Sequence, residues 1–240
     1  MGRSGSHGNT AMGAMRMTTM NGQLMPEDLE RWVLDFAAQI VEQHVMLSDL
    51  DAASGDADHG ANMERGMSAL LQAVPGWDRQ LLPGDFLKEI GMHLVSSVGG
   101  SSGALYGTIF LRMARTVGDA CAIDPELLLQ AFESAAEGIV DRGKVKRGDK
   151  TMYDALAPAV EVLREQLLPA RQPLSASLRA AAEAAQTGRD TTADMVARKG
   201  KSSYARENSR GVVDPGAASV TMLIQAAART LGNSVTNEAS

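Results

Sequence analysis

Apolar residues return every three to four positions in run after run of this chain, and nowhere is there a sustained alternation of period two. Such a sequence cannot present the half-buried faces of a sheet, so its apolar stripes must close on one another as helices. Leu29, Trp32, Val33, Phe36, Ile40 and Val41 make the first stripe, behind Pro26 and Glu27, which suit a first helical turn. Further helices are predicted over 61–74, ended by Pro75-Gly76, then from Asp85 through Leu94, and over 104–117 and 125–140. The last three are predicted over 151–168, with Pro158 expected to kink it, from Ser175 as cap to 185, and over 217–231. The expectation is an all-α, single-domain barrel or bundle of eight antiparallel helices, with the glycine-containing turns gathered on one rim. Residues 1–22 carry no apolar period and read as a disordered tail, residues 23–233 as the domain, and 234–240 as a C-terminal tail.

Composition narrows the class. A formal charge of −6 argues against a nucleic-acid binder, whose footprint is a basic face. Cys121 is the sole cysteine, so no intrachain disulfide forms, which fits a reducing compartment. No apolar stretch approaches the roughly 20 residues of a membrane span. A cytoplasmic protein is expected.

The chemistry concentrates between the first two helices. There Asp51, Asp56, Asp58, His59 and Asn62 sit among Gly55 and Gly60. Carboxylates crowded together raise one another's pKa unless a cation lies between them. All-oxygen donors with no cysteine nearby favour a hard ion, and the calcium-loop pattern is not met, which points to Mg²⁺. The competing reading is a solvated turn, since Asp and Gly are ordinary turn residues. Gly99-Gly100-Ser101-Ser102-Gly103 feeds a helix N-terminus, whose free N–H groups suit a phosphate, or is a plain interhelix turn. It also fits the nucleophile-elbow pattern, but that needs a strand before it and a histidine after it. His7, His44, His59 and His93 all lie upstream. There is no P-loop and no protein-kinase catalytic loop. Arg198, Lys199, Lys201, Arg206 and Arg210 form a basic run, ordinarily a solvated face.

Taken in order, five motifs resemble the nucleotide-binding L-subunit family of bacterial dihydroxyacetone kinases. They are Gly55-Asp56-Ala57-Asp58-His59-Gly60 with Asn62, Gly99 to Gly103, Gly148-Asp149-Lys150-Thr151-Met152, Ala197-Arg198-Lys199-Gly200 and Asp214-Pro215-Gly216-Ala217. The resemblance implies a barrel of eight antiparallel helices holding ADP or ATP at one end through two Mg²⁺ ions. It implies metal ligation by Asp51, Asp56 and Asp58, and phosphate contacts from His59, Gly60, Ala61, Asn62, Ser101, Ser102 and Lys201. Gly143 and Met152 fall at the adenine end, and Asp214, Gly216 and Ala217 in a loop closing over the nucleotide. Two departures stand out: Lys201 is commonly Arg in relatives, and 205–213 lacks their Gly-Glu-Arg-Ser and Gly-His. The implied role is a kinase subunit, homodimeric and with no nucleophile of its own. It would relay a phosphoryl group from a phosphocarrier M subunit to dihydroxyacetone held on a separate K subunit. The alternatives are an ATP-dependent two-chain kinase for dihydroxyacetone or a four-carbon ketose, and a nucleotide-sensing regulatory adaptor.

Overall fold

The structure, a computed structural model, describes residues 23–232 apart from Ser54 and Pro169, and leaves out the side chains of Lys201, Ser202 and Ala205. The tails expected at 1–22 and 234–240 lie outside the described residues. Eight α-helices follow in order: α1 (Pro26–Ala52), α2 (His59–Ala73), α3 (Pro83–Ser97), α4 (Gly100–Val117), α5 (Pro125–Gly143), α6 (Tyr153–Leu167), α7 (Leu174–Thr191) and α8 (Pro215–Thr230). Short 3₁₀ segments occupy Val74–Gly76, Thr192–Asp194 and Lys201–Ser209. No strand is present among the described residues beyond a single bridge between Leu24 and Ile123.

Successive helices pack on one another as antiparallel neighbours, most of them across short connections, and α1 packs on α8 to close the ring. Across that closure the Trp32 indole N–H donates to Leu223 O at 3.0 Å, and Arg229 pairs with Asp35 at 2.6 Å. Inside the ring Trp32 lies against Phe110 and Phe132, with ring centroids 5.6 and 5.8 Å away. Phe36 stacks on Tyr106 one turn further along α1. All five aromatic side chains are buried, and such pairs contribute about 0.5–1.5 kcal/mol each beyond their burial.

The helix starts differ from expectation in ways that matter. Helix α2 begins at His59, two residues early, because the buried Asp51 carboxylate accepts the His59 N–H at 3.0 Å. Asp58, the apparent cap, has helical backbone angles and makes no capping bond. Ser175 does not cap α7: the helix starts at the buried Leu174, after an extended Pro173. Helix α6 continues through Pro158 as one element.

Up-and-down alternation puts the C-terminal ends of α1, α3, α5 and α7 and the N-terminal ends of α2, α4, α6 and α8 on one rim. Four helix N-termini therefore share that rim with the acidic loop. Each brings the partial positive charge of a helix start to that rim.

Candidate nucleotide and metal site

A cavity of about 320 Å³ opens at this rim. Its polar side is built by Asp51, Asp58, His59, Ser101 and Ser102. Leu105, Ile139, Val145 and Met152 make its apolar side, with Gly143 beside them. Every one of the four N-termini contributes: Asp58 and His59 from α2, Ser101 and Ser102 from α4, Thr151 and Met152 from α6, and Asp214 to Gly216 from α8. A cavity charged at one end and apolar at the other suits a ligand of the same division.

Asp51, Asp56 and Asp58 offer carboxylate oxygens that all lie within 4.8 Å of one another. Asp51 is buried at the end of α1, Asp58 half-buried and Asp56 exposed. This set fits a hard divalent cation: it is all oxygen, its oxygens are close enough to share one or two ions, and two of its three members line the cavity. Gly60 places it there. A Cβ at Gly60 would sit 2.0 Å from His44 O and 2.7 Å from Ser48 N, so only glycine lets the start of α2 lie against α1.

His59 ties this loop to the barrel floor. Its Nδ1 lies 3.0 Å from Ser102 Oγ and its Nε2 3.0 Å from Ser219 Oγ. Ser219 also accepts from the buried Tyr106 hydroxyl at 2.8 Å and donates to Gly216 O at 3.1 Å. With its one proton on Gly216, Ser219 accepts from both Tyr106 and His59. The network thus assigns the proton of a neutral His59 to Nε2 and leaves Nδ1 to accept from Ser102. Burial pushes the Tyr106 hydroxyl far above its usual pKa, so it remains a donor.

Asp214 caps α8, accepting from Ala217 N at 2.7 Å, while its own N–H donates to Thr192 Oγ1 at 2.9 Å. Burial pushes its carboxyl up to about 7, against the opposing pull of the Ala217 N–H and of Lys150. The turn before α6 is organised by Asp154, which accepts from Gly148 N at 2.5 Å and Thr151 N at 2.8 Å. Those bonds hold Lys150 at φ +61°, a conformation uncommon outside glycine.

Of the residues singled out in the sequence, Asp51, Asp58, His59, Ser101, Ser102, Gly143, Met152, Asp214 and Gly216 line this one cavity, and Asp56 completes the acidic trio beside it. Gly60 is buried against α1, Ala61 is exposed, and the Asn62 amide oxygen accepts from Arg65 at 3.0 Å. Ala217 is buried as the donor to Asp214. The Lys201 side chain lies outside the described residues. Tyr106, Leu105, Ile139, Lys150 and Lys199 line the cavity without having been singled out for it. Tyr106 had one legible signal, its place four residues after Ser102 on the same helix face.

The fold and this cavity define an all-helical barrel with an acidic loop and a ring of helix N-termini at one mouth. Residues 53–229 match the DAK2 domain family, Dak2, and the chain belongs to that family. Its curated relatives include the ADP-binding subunit DhaL of the PEP-dependent dihydroxyacetone kinase of Escherichia coli (strain K12), 44% identical over 182 residues, 75% of this chain and 84% of that one. The corresponding ADP-binding subunit of kinase 1 from Listeria innocua serovar 6a is 41% identical over 200 residues, 83% and 94% of the two chains. L-erythrulose kinase from Pectobacterium atrosepticum is 32% identical over 209 residues, 86% of this chain and 35% of that one. Among solved structures, the dihydroxyacetone kinase from C. freundii in complex with AMP-PNP and Mg²⁺ matches with a TM-score of 0.62 at 24% identity. That match covers 95% of this chain and 38% of the other, and it is a likeness of fold.

Proposed function

We propose that this chain is the ADP/ATP-binding subunit of a dihydroxyacetone kinase, a phosphotransferase that works with partner subunits. The observation that carries the reading is the convergence, in one cavity, of Asp51 and Asp58 with the first-turn residues of α2 and α4. Asp51, Asp56 and Asp58 would hold two Mg²⁺ ions, which when bound supply charge neutralisation for the phosphates. The N–H groups of Gly60, Ala61, Ser101 and Ser102 lie in first helical turns, where no backbone acceptor exists, and are offered to phosphate oxygens. His59, held by Ser219, presents Ser102 to the same place, with Asn62 at the edge of that turn. Leu105, Ile139, Val145 and Met152, beside Gly143, receive the adenine ring. Asp214, Gly216 and Ala217 form the α8 end of the wall, and Lys201 belongs to the segment above it.

Phosphoryl transfer asks mainly for positioning and charge neutralisation, so no nucleophile from this chain is needed. The acceptor, dihydroxyacetone, would be held on a K subunit and the donor would be an M-type phosphocarrier, in the cytoplasm, with this chain as a homodimer. The domain spans 23–233. Support comes from the names of the relatives at 41–44% identity, which are ADP-binding subunits of such kinases. A second reading, an ATP-dependent kinase for a four-carbon ketose, draws on the erythrulose kinase relative.

Mass analysis of the denatured purified protein should show ADP or ATP near one per chain. Alone with ATP and dihydroxyacetone the chain should not turn over, while a cognate K subunit should restore transfer. Nucleotide-free protein with no thermal shift on adding Mg-ADP would contradict the site, since a ligand of the native state must stabilise it. Robust turnover by the isolated chain would contradict the subunit role.

A further inference from the structure

Lys150 belongs to the Gly148 to Met152 motif, yet the function above gives it no task. Its side chain is 1% exposed, and its ammonium donates to two backbone carbonyls, Thr192 O at 2.6 Å and Val212 O. Those carbonyls stand at the two stems of one segment, residues 193–211. The segment joins α7 to α8 and carries Lys199 and Gly200 to the cavity wall. A single side chain therefore grips both of its stems. Three further bonds close the same segment: Gly211 N to Ala193 O at 2.8 Å, Arg198 N to Asp149 O at 3.0 Å, and Ala197 N to Ser209 Oγ at 2.9 Å.

The arrangement is costly, which is what makes it informative. A buried ammonium loses its hydration and is retained only where donors and charges replace it. Here the replacements are the two carbonyl oxygens, with the Asp194 carboxylate nearby. A barrel needing only a plug at this position would take a methionine or leucine at no such cost. Without the ammonium, two carbonyls in the stems lose their donor, and the stems are left joined by Asp214 N to Thr192 Oγ1 and Gly211 N to Ala193 O.

We propose that Lys150 is the positioning residue of the cavity wall: its ammonium clamps both stems of residues 193–211 and so holds Lys199 and Gly200 over the bound ligand. This rests on the nucleotide-site reading only for the identity of the ligand. The clamp hinders both entry and escape, because the same segment must swing away for the ligand to pass in either direction.

The test compares the full-length protein with Lys150→Met, which keeps the length and removes charge and donors. Hydrogen exchange is followed without nucleotide at the amides of Ala197, Arg198 and Gly211 and, as internal reference, at those of α1 and α6. The expected result is exchange faster by about ten-fold or more in the segment and unchanged in the helices. With a fluorescent Mg-ADP probe, dissociation should quicken by about ten-fold, and association should not slow. Lys150→Gln, which retains one donor group, should fall between. Unchanged exchange at Arg198 and Gly211 overturns the proposal. So does loss of protection throughout the barrel in both variants, which would make Lys150 a fold determinant. If the wild type binds no Mg-ADP at all, the nucleotide reading falls and the exchange comparison alone still decides the clamp.

Discussion

Asp214 makes the stability of the ligand-free protein depend on pH in a calculable way. Its carboxyl is buried, lies near Asp154 and Asp51, and is held up to about 7 against an ordinary value of 3.8. The folded state therefore keeps a proton through a range in which the unfolded chain has lost it. Stability from this group is full below about pH 4, falls as pH rises, and is gone above about 7. Integrating the two titrations between pH 5 and pH 8 gives a fall of about 3 kcal/mol. Asp214→Asn abolishes the titration while its amide oxygen can still accept from Ala217 N. Urea unfolding of protein stripped of metal and nucleotide, run at several pH values, reads the difference between wild type and variant. That difference should move by about 3 kcal/mol in favour of the variant from pH 5 to pH 8. Curves that stay parallel would show that Asp214 is ionised throughout, with burial outweighed by Lys150 and the α8 N-terminus.

Gly60→Ala should cost about 2–3 kcal/mol, because the new Cβ meets backbone atoms of α1 and the helices must part. Calorimetry should show it as a melting temperature lower by about 4–12 °C. Ser219→Ala removes the acceptor of the buried Tyr106 hydroxyl, so it should destabilise by about 1–3 kcal/mol. Adding Tyr106→Phe should recover part of that loss in a denaturant titration, and a strictly additive double variant would show that the two hydroxyls do not depend on each other.

The helices were legible because their apolar stripes need no knowledge of the partner, only of the 3.6-residue repeat. Their ends were not, where a distant group sets the boundary. Helix α2 starts at His59 because Asp51, eight residues earlier and on another helix, takes its N–H. The acidic loop and the Gly-Ser turn stood out by composition, but the same residue types suit ordinary turns, and only the five motifs taken in order favoured a ligand site over that reading. Ser219 did not: it sits in an alanine-rich helix and meets His59 across 160 residues of chain. Lys150 stood out only as a member of the Gly148 to Met152 motif, and nothing in sequence distinguishes a lysine that will be buried between two carbonyls from one in water. The basic run expected as a solvated face is partly that, with Arg206 and Arg210 exposed, but its stems are clamped and Lys199 reaches the cavity.

Whether the acidic trio holds metal for a nucleotide is decided by calorimetric titration of Mg-ADP into wild type, Asp56→Asn and Asp58→Asn. Each substitution keeps the side-chain size and removes one charge from a site that also receives phosphates. Expected are about one nucleotide per wild-type chain, loss of binding when Mg²⁺ is chelated, and affinity weaker by about 10–100-fold in either variant. Circular dichroism of the same samples should be unchanged, because the loop contributes little apolar burial. Binding that survives both substitutions and chelation would make the acidic loop a solvated turn with no part in holding the nucleotide.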